Sequence, residues 1–185
     1  MARQLKSRPR LLSRLTVAVL VDRAVLVPGS SRFRKGIGDA PLVNTLRRMV
    51  EKVSVGAYTD TGGVLKWFAE LRPDIVFNLT ENVDGDRQKD GYICALLDLL
   101  KLPYTGTGPR GMLLCRDKAV SKLIAAREGF KTPEFFVVEG RAPRLPRQLA
   151  FPLVVKPRFD DASVGISQAS LVRTKEALLE RIAYL

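Results

Sequence analysis

Histidine is absent from all 185 residues. That absence removes the Ser-His-Asp triad, the Cys-His pair and any histidine-based zinc site from within this chain. Cysteine is scarce: Cys94 and Cys115 are the two present, in the apolar contexts ICALL and MLLCR. Both are read as buried, reduced thiols of a cytosolic protein rather than a disulfide framework. Aromatic residues are 7% of the chain, and no RNA- or DNA-binding motif accompanies them. No apolar run approaches the ~20 residues that span a bilayer, so no membrane segment is expected and the expected compartment is the cytoplasm. The chemistry left open uses lysine, arginine, carboxylates, backbone amides and a bound metal.

What is present is globular in composition, with 46% hydrophobic and 27% charged residues. The length suits one domain, or one domain and part of another. The net charge of +12 points to an anionic partner such as nucleotide, nucleic acid or a membrane surface. Its distribution is uneven. MARQLKSRPRLLSR carries Arg3, Lys6, Arg8, Arg10 and Arg14 without one acid, and residues 1–14 are read as a solvated, disordered arm. Pro9 would interrupt an amphipathic helix there, which argues against a transit peptide.

The chain alternates strands and helices. LTVAVLV (15–21) reads as a buried parallel strand. A long loop follows to Ala40, in which Gly36 and Gly38 lack the third glycine of a dinucleotide fingerprint. Pro41 opens a helix with Leu42, Val43, Leu46, Met49, Val50 and Val53 as its apolar stripe. A second strand is expected at 53–58, a helix at 64–71 with Trp67 as a core anchor, and a third strand at 75–79. This succession implies a parallel sheet whose ligand crevice lies at the carboxyl ends of its strands. Asp22, the turn at 58–63 and the loop 78–91 then share one rim. Glu81, Asp84, Asp86 and Asp90 fall in that loop. They fail the EF-hand pattern and are read as a solvated turn, with Asp90 as a helix cap and metal binding as the alternative. A helix at 91–100, the turn PYTGTG (103–108), a short helix at 109–114 and a helix capped by Asp117 follow. Gly129 should end that last helix.

The stretch FPLVVKPRFDDASVGISQASLV (151–172) holds two apolar runs, 153–155 and 164–166, around a polar loop. Lys156 stands where the first run ends. A lysine beside a mobile polar loop can hold phosphate, the ammonium as a point charge and the loop amides closing over the oxygens. The plain alternative is a surface β-hairpin with an exposed lysine. Strand-like FFVV (135–138) precedes this stretch, and a helix capped by Thr174 follows it. Ala177, Leu178, Ile182 and Leu185 form that helix's apolar face, and the chain stops there in mid-stripe. A second unit of three short strands and two helices is small for an independent core, so a truncated sequence is expected.

In order, PDIVFNLTENVDGD (73–86), ALLDLLKLPYTGTGPRGMLLCRDKAVSK (95–122), GFKTPEFFVV (129–138) and the 151–172 stretch together resemble the D-alanine–D-alanine ligase-like branch of the ATP-grasp enzymes. That resemblance implies an N-terminal parallel-sheet, Rossmann-like pre-ATP-grasp α/β domain over 15–114. The first, incomplete α+β subdomain of an ATP-grasp fold follows over 115–185. It implies an ATP-dependent ligase that joins a carboxylate to an amine through an acyl phosphate. Magnesium bridges the phosphates in such chemistry, and its ligands are expected beyond Leu185, with none within this chain. By the same resemblance, Lys118 and Lys156 contact the ATP phosphates. The loop 158–165, with Asp160, Ser163, Val164 and Gly165, forms a lid over them, and Glu81, Asp86 and Tyr104 lie on the substrate side. The lid reads DDASVG, where D-alanine–D-alanine ligases typically carry a glutamate, a glycine and two serines. The partners implied are ATP and a small amino acid, with a homodimer as the assembly. The 185-residue chain itself is expected to be inactive or nearly so. The alternatives are an ATP-grasp ligase for another amino acid or peptide, a nucleotide-binding domain without catalysis, and a basic nucleic-acid-binding module.

Overall fold

The computed structural model describes residues 14–35, 39–140 and 145–185. The rest of the basic arm, Gly36, Gly38 and the first part of the basic 141–148 connection lie outside the described residues. The chain divides into two compact units, residues 1–110 and 111–185.

The first unit is built on β1 (Thr16–Asp22). It pairs in parallel with β2 (Lys52–Tyr58) on one side and β3 (Ile75–Leu79) on the other, giving the order β2-β1-β3. The expected strands at 15–21, 53–58 and 75–79 thus form within one residue at either end. A central parallel strand is covered on both faces, and β1 is buried from Val17 to Asp22. Its side chains alternate between two cores, as the two-residue period of a strand requires. Ala18 and Leu20 meet Val64 and Phe68 of α2 (Thr61–Leu71) and Ile93 and Leu97 of α3 (Asp90–Leu99). Val17, Val19 and Val21 meet Val43 of α1 (Asp39–Met49) together with Val50 and Val55.

Local chemistry sets the helix ends. The Asp60 carboxylate caps α2, accepting the Gly63 N–H at 2.8 Å. Two expectations shift. Met49 of the α1 stripe is exposed, because the helix ends there and Val50 turns inward in its place. Asp90 is the first residue of α3 rather than its cap; it is 3% exposed and accepts the N–H of Gly91. The loop after β1 is also more ordered than its length suggests: Arg23–Val25 forms a 3-10 turn and Leu26 bridges to Phe33. The PYTGTG segment runs along β3. Its Tyr104 bridges in parallel to Val76, with Val76 N–H on the Pro103 carbonyl at 2.8 Å and Thr105 N–H on the Val76 carbonyl at 3.0 Å.

The second unit contains α4 (Pro109–Arg116, which begins just before the boundary), α5 (Lys118–Arg127), β4 (Leu153–Val154), β5 (Leu171–Val172) and α6 (Lys175–Tyr184). Gly129 ends α5 at φ +84°, with its N–H on Ala126 and the Phe130 N–H on Ala125. That is the Schellman pattern, which a left-handed glycine favours. Three readings are corrected. The run 135–138 forms no ladder among the described residues. The run 164–166 is a turn, not a strand: Ala162, Ser163 and Gly165 all take positive φ, and the partner of β4 is β5 instead. Cys115 is exposed while Cys94 is buried, because Leu113 and Leu114 beside Cys115 also face outward.

Trp67 is a core anchor as expected, and it explains a glycine in a strand interior. A Cβ placed on Gly56 of β2 would lie 2.8 Å from the indole ring, so the ring lies flush on the backbone. Gly56→Ala is expected to cost about 1–3 kcal/mol by overpacking. Urea unfolding followed by the fluorescence of Trp67, the chain's single tryptophan, reads this directly; an unchanged midpoint would contradict the packing.

Candidate functional site

Two groups of polar side chains stand out, one in each unit.

At the carboxyl end of the first sheet, the last residue of β1 organises the loop after β3. The Asp22 carboxylate accepts the backbone N–H groups of Glu81 (3.2 Å) and Asn82 (3.3 Å) and the side-chain amide of Asn82 (2.6 Å). Burial pushes the Asp22 carboxyl above its ordinary range, against the lowering effect of the two backbone N–H groups. Asn78 of β3 gathers the next residues: its side-chain oxygen accepts from the Thr80 N–H and hydroxyl, and its own N–H donates to the Thr105 hydroxyl. The three expected substrate-side residues fare differently. Glu81 is brought to the Asp22 rim, with its carboxylate paired to Arg87 at 3.0 Å. Asp86 is committed locally, accepting the Gln88 N–H and pairing with Lys89. The Tyr104 hydroxyl donates to Asp98 at 2.9 Å. Burial and that carboxylate push its pKa up to about 12, so it is a neutral phenol.

In the second unit, Asp117 does two things at once. It caps α5, accepting the N–H groups of Ala119 (2.9 Å) and Val120 (3.2 Å). It also receives a two-point contact from Arg158, Nε at 2.9 Å and Nη2 at 2.7 Å. Such forked pairs are the strong, orienting kind. The third guanidinium arm reaches Glu139 at 2.8 Å. The Arg158 contact, with help from the capped amides, holds the Asp117 carboxyl at about 2.

This fixes the start of the 158–165 loop against α5. The Lys118 N–H bonds the Arg158 carbonyl at 3.2 Å, and its ammonium donates to the carbonyls of Arg158 and Asp160. Arg116 donates to Asp161 at 2.9 Å. Lys118, Asp160 and the loop are therefore together, across 42 residues of sequence. Beyond Asp161 the segment turns outward: Ala162, Ser163 and Val164 are exposed. Lys156 is also exposed and forms no hydrogen bond or ion pair among the described residues. The arginines at 116 and 158 were not foreseen as loop anchors. Each lies next to a named motif residue, but nothing in the order of residues says which carboxylate an arginine will meet.

The fold is that of solved D-alanine–D-alanine ligases. The one from Bacillus anthracis, complexed with ATP, superposes at a TM-score of 0.62 and 19% identity over 92% of this chain and 54% of that chain. The one from Helicobacter pylori does so at 0.58 and 18% identity over 91% of this chain and 62% of that chain. Sequence then narrows it. The D-alanine–D-alanine ligase of Chromohalobacter salexigens is 32% identical over 163 residues, 85% of this chain and 49% of the relative. That of Caulobacter vibrioides is 34% identical over 146 residues, 77% of this chain and 43% of the relative. An uncharacterised protein of Sinorhizobium fredii is 38% identical over 92 residues, half of this chain and 27% of that protein. No family model matches. The resemblance read from the motifs is borne out: this is a D-alanine–D-alanine ligase-like chain of the ATP-grasp family. It spans about half the length of the curated relatives it matches.

The depressed carboxyl gives a signed prediction. Asp117 lies at about 2 when folded, below its ordinary 3.8. Its contribution to stability is therefore present above the ordinary value and lost as pH falls through the folded one. Asp117→Asn should lower the thermal midpoint at pH 7, and its deficit against wild type should shrink between about pH 4 and about pH 2. A deficit independent of pH would remove the ion pair as its cause.

Proposed function

We propose that this chain is the N-terminal and partial central part of an ATP-dependent carboxylate–amine ligase, with D-alanyl-D-alanine as the default product. In that reading 15–114 is the pre-ATP-grasp domain and 115–185 the start of the ATP-grasp domain. The parent protein binds ATP, magnesium and an amino acid, works in the cytoplasm in peptidoglycan biosynthesis, and assembles as a homodimer. No helix of the described residues is long and apolar enough to cross a membrane, which accords with that setting.

The observation that carries the reading is the meeting of Lys118 with the 158–165 loop, beside which Lys156 remains free and exposed. Phosphoryl transfer asks a protein mainly for positioning and for neutralisation of spreading charge. Lys156 supplies an unengaged ammonium, and the exposed tip of the loop supplies backbone N–H groups. Lys118 now holds the loop through its carbonyls; it serves phosphate by exchanging those carbonyls for phosphate oxygens. Asp160, Ser163, Val164 and Gly165 complete the cradle. On the substrate side, Glu81 on the Asp22 rim is the best-placed carboxylate, since Asp86 and Tyr104 are engaged with Lys89 and Asp98.

Among the described residues no three acidic or cysteine side chains converge to hold a metal. No metal-dependent step is therefore assigned to these residues.

The test is nucleotide binding. The chain is expected to bind ATP weakly, and Lys156→Ala to abolish that binding, with the same loss in the longer enzyme. Titration calorimetry measures it; unchanged affinity in Lys156→Ala would refute the role of this lysine.

A further inference from the structure

Arg181 is a charged residue of α6 that is 7% exposed. Its guanidinium lies over the Tyr184 ring, 4.7 Å from the centroid. It pairs with no carboxylate among the described residues, and its Nε is buried without a hydrogen-bond partner. A buried cation so poorly compensated is costly. Its hydrogen bond goes to the carbonyl of Gly165, from Nη2.

That carbonyl belongs to a peptide unit held from the other side as well. The N–H of the same unit, that of Ile166, donates to the Ser163 carbonyl at 3.0 Å. In a planar trans peptide the C=O and N–H point in opposite directions. The unit is therefore clamped at both ends and cannot rotate without breaking a bond. Gly165 itself is at φ +69°, and a Cβ there would lie 2.9 Å from Pro157 and 3.0 Å from Leu185. At the other end of the tip, Val164 N–H donates to the Asp161 carbonyl at 2.9 Å, and the Asp160 carbonyl is held by Lys118. Between these clamps the N–H groups of Ala162, Ser163 and Gly165 have no acceptor among the described residues.

We propose that Arg181 is a positioning residue: it fixes the Gly165–Ile166 peptide and so presents the three unused amides of the loop tip, as a set, to a phosphate chain. This rests on the reading of the loop as a phosphate site and assigns it a support from outside the loop. The buried charge also sits at the base of that tip, where it favours an anion over a neutral ligand.

The experiment compares wild type, Arg181→Met and Arg181→Lys as full chains. Amide hydrogen exchange should accelerate at Ile166 and Val164 in Arg181→Met by about tenfold, the equivalent of one ordinary hydrogen bond. Val155, whose N–H bonds the Ser170 carbonyl, should be unaffected. Affinity for tripolyphosphate, by calorimetry, should fall in Arg181→Met and recover in part in Arg181→Lys. Equal acceleration throughout the unit, or loss of folding in both variants, would make Arg181 a purely structural residue and overturn the proposal. So would unchanged exchange at Ile166. If wild type binds no tripolyphosphate, the phosphate reading of the loop falls, while the exchange comparison still decides whether Arg181 sets its conformation.

Discussion

The forked contact between Asp117 and Arg158 is the constraint on which the second unit depends. One carboxylate caps the start of a helix by accepting two of its first N–H groups. The same carboxylate takes two arms of an arginine 41 residues later, Nε on Oδ1 and Nη2 on Oδ2. A helix start and a loop start are thereby set at one point, and everything attached to either inherits that placement. Lys118 follows Asp117 directly, so its ammonium falls on the carbonyls of Arg158 and Asp160. Arg116 precedes it and meets Asp161. Three consecutive residues thus bind one loop. The unit needs such fasteners because its apolar core is small: β4 and β5 have two residues each, and Leu123 and Ile124 of α5 face outward.

The first unit solves the same problem by burial. A strand covered on both faces removes most of β1 from water, and removing apolar surface is the dominant favourable term in folding. Its polar end then does for a loop what Asp117 does for another. Asp22 closes β1 and collects Glu81 and Asn82 through their N–H groups. The two carboxylates differ in environment. Asp22 is pushed upward by burial, whereas Asp117 is held low by a guanidinium. The first is a junction buried at a strand end, and the second an ionic clasp near water.

A phosphate-binding loop has conflicting needs. Its backbone must be ordered enough to aim several N–H groups together, yet those groups must stay unbonded until ligand arrives. In the reading proposed above, the loop 158–165 meets both by being held through its carbonyls and side chains. Lys118 and Arg181 donate to carbonyls of Asp160 and Gly165, and Arg116 takes the Asp161 carboxylate. Among the described residues, the N–H groups of Ala162, Ser163 and Gly165 are left open while that of Val164 is bonded to Asp161. The relation to D-alanine–D-alanine ligases gives this arrangement a context, and the DDASVG sequence gives it an individual character. Within it, Asp161 supplies the anchor for Arg116.

Much of this was legible in the order of residues. Strand positions in the first unit followed from apolar runs of the right length, most clearly in β1, because a strand buried on both faces must be apolar throughout. The α5 start and end followed from Asp117 and Gly129, whose effects are local and act through the next few amides. The meeting of Lys118 with the 158–165 loop was implied by the resemblance that the order of motifs carries. What the sequence could not decide was every contact joining distant residues. Val164–Ile166 was apolar enough for a strand, but a strand exists only with a partner, and the ladder went to Leu171–Val172. Cys115 looked buried by its neighbours, but burial depends on what packs against them. Arg158 and Arg181 carried no local sign of the oxygens they would meet. Runs, caps and turns are set by short-range sterics and hydrogen bonding, which the sequence determines by itself; pairing, burial and ionic partnership depend on which surfaces the folded chain brings together, and only the tertiary structure decided those.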